Sequence, residues 1–404
     1  MRTISWVIGC AMLVTASRSA FALTGTIAVN TTSNADNAFD GKCSLVEAMK
    51  AVNGSGTYHE CHRVGTSLLT VTLPTTPTPI TSNVAIAPNK DLIITGAGLT
   101  STTIAFGANT TSGCAVLALD FRVTLQNLTI QQNSGLFMTG VCAWTSTGAL
   151  TPAVALNGVR IRSFQNRGVD VSAGGVDGNN VTIQNNRTPG NGAGIGIFVD
   201  GHMGTFKNLS LIGNVADGLG GGLYREGWSN GNIENGTISG NQASLGGGIY
   251  TFTSTNYLFV HTTVIASNSA TNSGGGIYVA TDCGSGTPFY IDNSVVVSNT
   301  APFGPNIYLD CPDFASSSYT LWGGPLDFVG NVADGTGDKT IVQDTVTSEF
   351  FPISNSGSPF FLPAYQLRST SDARNMAQCV YTTDVRGVAR PQGPGCDAGA
   401  WEVP

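Results

Sequence analysis

The chain has 404 residues, and its 18 Lys and Arg against 25 Asp and Glu give a net charge of −7 at neutral pH. Because an acidic chain with few cations is repelled by polyanions, nucleic acid and anionic membrane surfaces are excluded as expected partners. Glycine is frequent, at 52 residues, but aliphatic residues recur at regular intervals, which favours a folded repeat protein over a disordered chain.

The N-terminus has the pattern of a secretory signal peptide. Arg2 gives a positive start, an apolar run covers 6–14, and Ala-Phe-Ala at 20–22 has the spacing of a cleavage site. We therefore assign 1–22 to a signal peptide and expect a secreted protein, with association with an outer membrane as the alternative. The apolar run is too short to span a bilayer, and no integral membrane segment is expected later in the chain.

Eight cysteines follow the signal peptide, and an even number in an exported chain indicates disulfides. We expect sequence neighbours to pair, although other connectivities remain open. The two middle pairs span 28 residues each, close to one repeat, and could join adjacent coils. The expected pairs are Cys43 with Cys61, Cys114 with Cys142, Cys283 with Cys311, and Cys379 with Cys396.

A short helix is predicted over 44–53. Ser44 and Glu47 have the spacing of a capping box, and the apolar residues that follow share one face. Because a solenoid exposes unpaired strand edges at its ends, a helix anchored at Cys43 would seal the first coil. We assign 23–65 to this N-terminal cap.

Two short motifs alternate through the middle of the chain. One is a β-prone run that ends in asparagine; the other is glycine-rich and ends in an aliphatic and an aromatic residue, as in Gly-Gly-Gly-Ile-Tyr at 246–250. From Asn186 onward the terminal asparagines recur every 27 to 31 residues, a period typical of a solenoid. We predict an all-β, right-handed, single-stranded parallel β-helix over 66–320 and a C-terminal cap over 321–404.

The recurring residues have a physical role in such a stack. Equivalent positions in successive coils lie about 4.8 Å apart, so asparagine amides can hydrogen-bond to one another as a ladder. The glycine triplets fit a turn that needs a positive φ or a close backbone approach. The expected ladder residues are Asn133, Asn186, Asn214, Asn241, Asn268 and Asn299.

Both ends of the chain resemble a known family. Cys-Ser-Leu-Val-Glu-Ala-Met at 43–49 resembles the Cys-Ser-Leu-Arg-Glu-Ala-Ile motif that opens a family of exported bacterial β-helix proteins, with Val46 in place of arginine. The segments 384–391 and 396–402 look like the "choice-of-anchor Q" domain that closes many of them, and the glycine-rich repeats are similar to those of chlamydial polymorphic outer-membrane proteins. The resemblance implies a β-helix and export, but no active-site residues. Because the sequence stops two residues after Glu402, where relatives often add an anchor, free secretion is the expectation.

The aromatic residue of each glycine-rich motif is expected to point outward, because the aliphatic residue before it points inward. Stacked coils would then align these aromatics as an external column that ends at Tyr308. Asp200 and Glu226, two residues beyond their aromatics, would lie on neighbouring coils about 5 Å apart. The residues expected to form a ligand-binding surface are Phe198, Tyr224, Tyr250, Tyr278, His202 and Trp228.

Three functions remain open. Aromatic rings can stack on sugars, so the first hypothesis is a monomeric, non-catalytic protein that binds glycan or another surface partner. Carboxylates about 5 Å apart suit a retaining glycosidase or could hold Ca²⁺. The alternative is therefore a polysaccharide lyase or glycosidase of the pectate-lyase type, with Asp200 and Glu226 as catalytic candidates. The nearest cations would be Arg225 or Lys207. The third is a purely structural secreted protein whose aromatics only stack on each other.

No cofactor is expected outside the calcium of the lyase alternative. His59 and His62 flank Cys61, but the sequence offers them no evident third ligand, so no metal site is expected. The charged residues of the tail are expected to form ion pairs within the cap: Asp384, Arg386, Arg390 and Asp397.

Overall fold

The protein is described by a computed structural model, in which no helix of the described residues is long and apolar enough to cross a membrane. The signal peptide expected at 1–22 lies outside this part of the chain. The described residues are 25–65, 68–107, 113–133, 137–146, 152–226, 230–253, 256–282, 289–311, 315–324, 332–333, 336–341, 346–355 and 363–404.

Parallel strands wind into a β-helix. The repeating coil contributes one strand to each of three parallel sheets, which we number 1 to 3 in the order in which the chain enters them within a coil. Equivalent positions pair across coils: Ile249 lies opposite Ile277 in sheet 1, and Val260 lies opposite Ile291 in sheet 2. The all-β parallel β-helix expected from the repeat is therefore confirmed.

Four long strands turn corners between sheets: Val123–Gln132 and Pro152–Arg162 form parts of sheets 2 and 3, and Val169–Gln184 and Ile195–Ile212 form parts of all three. The other strands of sheet 1 are Cys114–Leu119, Thr139–Trp144, Leu223–Arg225, Ile249–Thr253, Ile277–Thr281 and Ile307–Leu309. Those of sheet 2 are Gly25–Ala28, Leu69–Thr72, Leu92–Thr95, Gly231–Glu234, Leu258–His261, Phe289–Asp292, Ala315–Ser318 and Val332–Ala333. Those of sheet 3 are Ile80–Ser82, Thr103–Phe106, Thr237–Ser239, Val264–Ala266, Val295–Val297, Leu321–Gly323 and Lys339–Ile341.

Smaller elements complete the chain. A fourth parallel sheet lies between sheets 3 and 1 along the chain and consists of Arg187–Thr188, Val215–Ala216, Gln242–Leu245 and Ser269–Ser273. Two antiparallel pairs join Thr57–Tyr58 to Cys61–His62 and Ser354–Asn355 to Pro363–Ala364. The helices are Leu45–Asn53 and Val346–Glu349.

The β-helix is longer than the repeat indicated. Its first strand, Gly25–Ala28, lies inside the segment expected to be an N-terminal cap and pairs with Leu69–Thr72 of the next coil. Its last strand in sheet 3, Lys339–Ile341, pairs with Leu321–Gly323 inside the segment expected to be a C-terminal cap. These outer coils lack the glycine and asparagine motifs, so they carry no sequence signature of the period.

The N-terminal helix is confirmed, and its first turn is a capping box. The Ser44 hydroxyl accepts a hydrogen bond from the backbone N–H of Glu47 at 3.2 Å, and the Glu47 carboxylate accepts one from the N–H of Ser44 at 2.9 Å. Seven of the nine helical residues are buried, so the helix packs against the first coils rather than standing in solvent.

Disulfides are present in the described residues. Cys43 is bonded to Cys61, Cys114 to Cys142, and Cys379 to Cys396. Cys114 and Cys142 lie on adjacent strands of sheet 1, so this bond joins neighbouring coils, as the 28-residue spacing suggested. Cys311 is also disulfide-bonded, and Cys283, its expected partner, lies outside the described residues.

The asparagine ladder forms from Asn186 onward. Each side-chain amide donates to the amide oxygen of the next rung at 2.9–3.0 Å, and that oxygen also accepts a backbone N–H. Asn306, at the third glycine position of its motif, accepts from Asn299 and donates to the Gly323 carbonyl, so it closes the ladder. Asn133 does not join: it is exposed and bonds through its backbone to Phe106.

The C-terminal segment, 346–404, packs against the side of the β-helix. Outward-facing Val264 and Val295 of sheet 3 form an apolar cluster with Tyr365 and other residues of this segment. Ser210, several coils from the last strand, donates to the Pro363 carbonyl at 2.8 Å. The described part of the segment therefore covers the flank of sheet 3, in contrast to the end cap that we expected.

Candidate functional site

The predicted aromatic column exists on the outside of sheet 1. Tyr224, Tyr250, Tyr278 and Tyr308 occupy equivalent positions, and the centroids of successive rings are 5.4, 5.3 and 5.0 Å apart in nearly parallel planes. The aliphatic residues before them point inward and are buried, as the alternation predicted.

Two rings of the column are closed to solvent, and the other two are half-buried. Tyr224 is 6% exposed and Tyr278 is 8% exposed, so little of either ring can contact a sugar. The Tyr224 hydroxyl donates to the Glu226 carboxylate at 2.6 Å, and the Tyr278 hydroxyl donates to Asp310. Burial and then the nearby carboxylates raise the pKa of each of these hydroxyls. This geometry fits self-stacking, the structural alternative, better than the expected glycan-binding surface.

The expected register at Phe198 is wrong. Tyr224 lies opposite Gly196, because Gly192 (φ +71°) is equivalent to Gly220 (φ +65°) and this shared turn sets the alignment. The ring of Phe198 folds back over Gly196, which has no side chain there, and still reaches Tyr224 with centroids 5.4 Å apart.

The same shift separates the two catalytic candidates. Asp200 lies opposite Ala173, while the pairing of Ile197 with Arg225 leaves Glu226 level with Phe198. Asp200 and Glu226 are therefore not equivalent positions on neighbouring coils. Glu226 is engaged by Tyr224, and neither the glycosidase pair nor the calcium pair is formed as we expected.

The remaining members of the predicted surface do not extend it. His202 lies opposite Gly175, and burial lowers its pKa. Trp228 lies outside the described residues. Arg225 points inward, because it follows the outward-facing Tyr224 on the same strand. It is fully buried, its guanidinium donates to the Thr251 hydroxyl at 3.3 Å, and burial lowers its pKa to about 10.

A row of charged side chains that we did not predict as a site lies on the outside of sheet 2. Lys207, Glu234, His261 and Asp292 are paired in register on four successive coils. The Lys207 ammonium lies 3.4 Å from the Glu234 carboxylate, and His261 Nδ1 lies 2.7 Å from Asp292 Oδ2. Along this row, the carboxylates of Glu234 and Asp292 therefore alternate with the side chains of Lys207 and His261.

Both carboxylates of this row have their oxygens occupied. Glu234 also accepts from the Asn232 amide at 2.8 Å, and Asp292 accepts from the Asn293 amide at 2.9 Å. Both carboxylates are therefore engaged as hydrogen-bond acceptors by the residues around them.

Aromatic rings flank the charged row. Phe259 and Tyr290, two residues before His261 and Asp292, stack with centroids 5.2 Å apart. Tyr257 lies against both rings, 5.9 and 5.8 Å from their centroids and tilted to each, and it is 37% exposed. Its ring is therefore open to a ligand, unlike the buried rings of Tyr224 and Tyr278 on sheet 1.

The C-terminal segment adds Tyr381 to this face. Its ring centroid lies 6.1 Å from that of His261, and burial followed by the charges of Glu234 and Asp292 raises its pKa. The disulfide of Cys379 lies two residues away and ties this loop to the rest of the segment. The site is thus assembled from the β-helix and from the segment that folds back on it.

This row did carry a signal in the sequence. Each member lies seven residues before a ladder asparagine, so the row shares the ladder's period. We missed it because its residue types differ at every rung, and self-similarity reveals only repeated residues. The contribution of Tyr381 had no periodic signal at all.

Beside the N-terminal helix, the described residues include one group that could hold a metal. Ligand atoms of Asp36, Glu47 and His59 lie within 4.8 Å of one another, so the expectation that His59 lacks further ligands is wrong. However, Lys50 already binds Asp36, and both Glu47 oxygens accept backbone N–H groups within the cap. The cluster is accounted for as a hydrogen-bonded cap.

Of the four tail residues expected to form ion pairs, Asp384 and Arg386 pair with each other, while Arg390 pairs with Glu402. Arg386 bonds to Asp384 through two nitrogens, at 2.7 and 2.5 Å, and Arg390 lies 3.0 Å from Glu402. Asp397 accepts the N–H groups of the backbone around it, and burial raises its pKa. All of these groups stabilise the segment that positions Tyr381.

A cavity of about 640 Å³ lies elsewhere, between sheet 3 and the C-terminal segment. Its lining includes Glu349 and Arg368 but no aromatic ring. The Glu349 carboxylate is buried and accepts from the Ser371 hydroxyl and the Asp372 N–H, so it is already satisfied. We therefore place the candidate site on sheet 2.

Comparison with solved structures supports the fold. The pectate lyase Pel9A aligns with a TM-score of 0.55 over 94% of this chain and 96% of its own, at 14% sequence identity. ORF18 of Geobacillus virus E2 aligns with a TM-score of 0.41 over 80% of this chain and 62% of its own, at 13% identity. No family model and no curated protein sequence matches the chain. At 14% identity, the likeness to Pel9A concerns the β-helix alone.

Proposed function

We propose that the protein is exported and binds a polysaccharide along the outside of sheet 2. The observation that carries this proposal is the exposed ring of Tyr257 beside four charged groups in register. Saccharide sites combine an aromatic surface for the apolar C–H groups of a sugar with polar groups that fix its hydroxyls. Both are present here within one face.

The shape of the face fits an extended ligand. Lys207 and Asp292 are three coil spacings apart, or about 14 Å at the usual strand separation. The polar groups between them are held by hydrogen bonds in the unbound protein, so binding would order few side chains and lose little entropy. A linear chain along the helix axis would contact every rung.

Three further observations support export and a carbohydrate ligand. The disulfides fit an oxidising compartment, and the two end motifs resemble those of exported bacterial β-helix proteins. Pel9A, which shares the fold, is by name a pectate lyase. We propose that this chain is monomeric when it binds.

The test is binding of the full chain to a glycan array, followed by affinity electrophoresis on the polysaccharides that it retains. We expect Tyr257→Ala to weaken binding at least about tenfold, which corresponds to about 1.4 kcal/mol. Phe303→Ala is the matched control, because Phe303 is 56% exposed on another flank of the helix. The proposal fails if no polysaccharide is retained, or if both substitutions leave retention unchanged.

A further inference from the structure

We propose that the face of sheet 2 also cleaves its polysaccharide, with His261 as the base and Tyr381 as the acid of a β-elimination on an esterified uronan. This inference rests on the proposed binding face. It starts from the close approach of these two rings, which come from different parts of the chain.

The carboxylates of the row are unsuited to acid catalysis. Hydrolysis of a glycosidic bond needs one carboxylic acid that can donate a proton. Glu234 is paired with Lys207 and accepts from the Asn232 amide, and Asp292 accepts from His261 and the Asn293 amide, so the oxygens of both are already engaged as acceptors. Beside these carboxylates, we assign proton transfer to the imidazole of His261 and the phenol of Tyr381.

The hydrogen bond to Asp292 fixes the role of His261. An ionised carboxylate only accepts, so Nδ1 of His261 carries the hydrogen and Nε2 is left with a free lone pair. Asp292 is therefore a positioning residue that orients the ring and stabilises the imidazolium formed when Nε2 takes a proton. The parallel ring of Phe259 holds the imidazole from the side.

Tyr381 is suited to the opposite role. Its hydroxyl is protonated, since burial and the charges of Glu234 and Asp292 raise its pKa, and the strongly basic alkoxide that departs in an elimination can take that proton. Its loop is fixed at Cys379 by the disulfide to Cys396, and Asn235 donates to the Thr383 carbonyl at 3.3 Å. The acid is thus held over the same row as the base.

The elimination needs no other reactant. Nε2 of His261 removes the proton from the carbon next to the ester carbonyl, and the electron pair of that C–H bond forms a C=C bond. The C–O bond to the next sugar breaks, and the departing oxygen takes the hydroxyl proton of Tyr381. Proton exchange with solvent returns both side chains to their starting states, so one chain yields two and no water is consumed.

Charge selects an ester over a free uronate. Glu234 and Asp292 flank the base, Lys207 is already paired with Glu234, and the whole chain is acidic. A polyuronate would be repelled by these carboxylates. A methyl ester is neutral, and its carbonyl makes the neighbouring C–H bond more acidic than a carboxylate does.

The experiment uses the full chain with polygalacturonate and alginate, each as the free acid and as the methyl ester. Formation of the unsaturated product is followed by its ultraviolet absorbance, and binding is followed in parallel by affinity electrophoresis. We expect product from a methyl ester, and a rate loss of at least about a hundredfold in His261→Gln and in Tyr381→Phe with binding retained. Glutamine can still donate to Asp292, and Tyr308→Phe, in the column of sheet 1, is the control that keeps full rate.

Each other outcome has a defined meaning. Absence of unsaturated product from all four polymers overturns the inference, while retained binding leaves the proposed function standing. Faster cleavage of the free acids overturns the assignment of an ester. Full activity in either variant removes His261 or Tyr381 from the reaction. Absence of polysaccharide binding on the array defeats the proposed function itself.

Discussion

At the residue scale, neighbouring coils decide what each side chain can do. A tyrosine of the sheet 1 column has rings above and below it, so its hydroxyl is held in a low-polarity stack beside Glu226 or Asp310. Tyr257 has ring neighbours too, but they lie to its side and leave it exposed. The same residue type therefore stabilises one sheet and is open to ligand on another.

The tyrosine column predicts a loss of stability in alkali. Burial, followed by the charges of Asp310 and Glu226, raises the pKa of Tyr250 from 10.0 to about 12. Because the raised value belongs to the folded state, the stabilisation is fully present below pH 10 and is lost as the pH rises to about 12. At roughly 1.4 kcal/mol per pKa unit this shift corresponds to about 3 kcal/mol. Because Tyr250 is only half-buried, solvent screening should reduce its contribution to this loss to about 2 kcal/mol.

Urea unfolding on both sides of this pH range measures the effect, together with the ultraviolet absorbance of tyrosinate in the folded protein. Tyr250→Phe keeps the stacked ring and lacks the ionisable hydroxyl, so its stability should fall less with rising pH than that of the parent. An identical fall in both proteins, with Tyr250 titrating near the value of a free tyrosine, is the contrary result.

At the scale of elements, turns and ladders fix how one coil lies on the next. The amide of Asn241 donates to the Leu211 carbonyl and to Asn268, and its oxygen accepts from Asn214, so one side chain links three coils. Gly222 leaves room for this amide, since a Cβ there would lie 3.2 Å from Asn241 Nδ2 and 2.6 Å from the Gly248 carbonyl oxygen. Glycine and asparagine recur together because the asparagine amide lies close to the position that a Cβ on the glycine would take.

We expect Asn241→Ala to destabilise the protein by about 3–5 kcal/mol. The substitution removes the Asn241 partner of the buried Leu211 carbonyl, of the Asn214 amide and of the Asn214 backbone N–H, and a buried group left unsatisfied costs about 1–3 kcal/mol. Denaturant unfolding measures the change. Asn272→Ala, an exposed asparagine of a neighbouring coil, should change stability by less than about 0.5 kcal/mol. Equal effects of the two substitutions would show that the ladder adds no stability of its own.

How much could be predicted from the sequence depends on the range of the signal. The capping box at Ser44 is local and the ladder from Asn186 is periodic, so both could be located in advance. The register at Phe198 could not be predicted. We aligned the coils by their aromatic residues, but the turn at Gly192, with its positive φ, sets the alignment. The contact of Ser210 with Pro363 joins residues 153 positions apart, and no local pattern encodes it.

At the scale of the whole molecule, the C-terminal segment completes both the core and the candidate site. It buries the apolar outer row of sheet 3 and carries Tyr381 to the row of charged groups on sheet 2. The polar partners along its path, Asn235 and Asn293 among them, lie at the corner between these two sheets. Fold stability and the geometry of the site therefore depend on the same segment.

Removal of 346–404 should make the β-helix insoluble, because Val264 and Val295 are fully buried and lie in the apolar cluster that this segment forms with sheet 3. The positions equivalent to Val264 in the two preceding coils are Thr237 and Ser210. A hydroxyl residue is therefore compatible with the strand geometry at this position of sheet 3. We expect Val264→Thr with Val295→Thr to restore solubility to the shortened chain, since hydroxyls would then meet water. In the full chain the same pair should lower stability by roughly 2–4 kcal/mol, because each hydroxyl would be buried in an apolar cluster. Sedimentation of the shortened chains and urea unfolding of the full ones measure the two effects. A pair of substitutions that stabilised the full chain, or a shortened parent that stayed soluble and monomeric, would contradict a covering role for the segment.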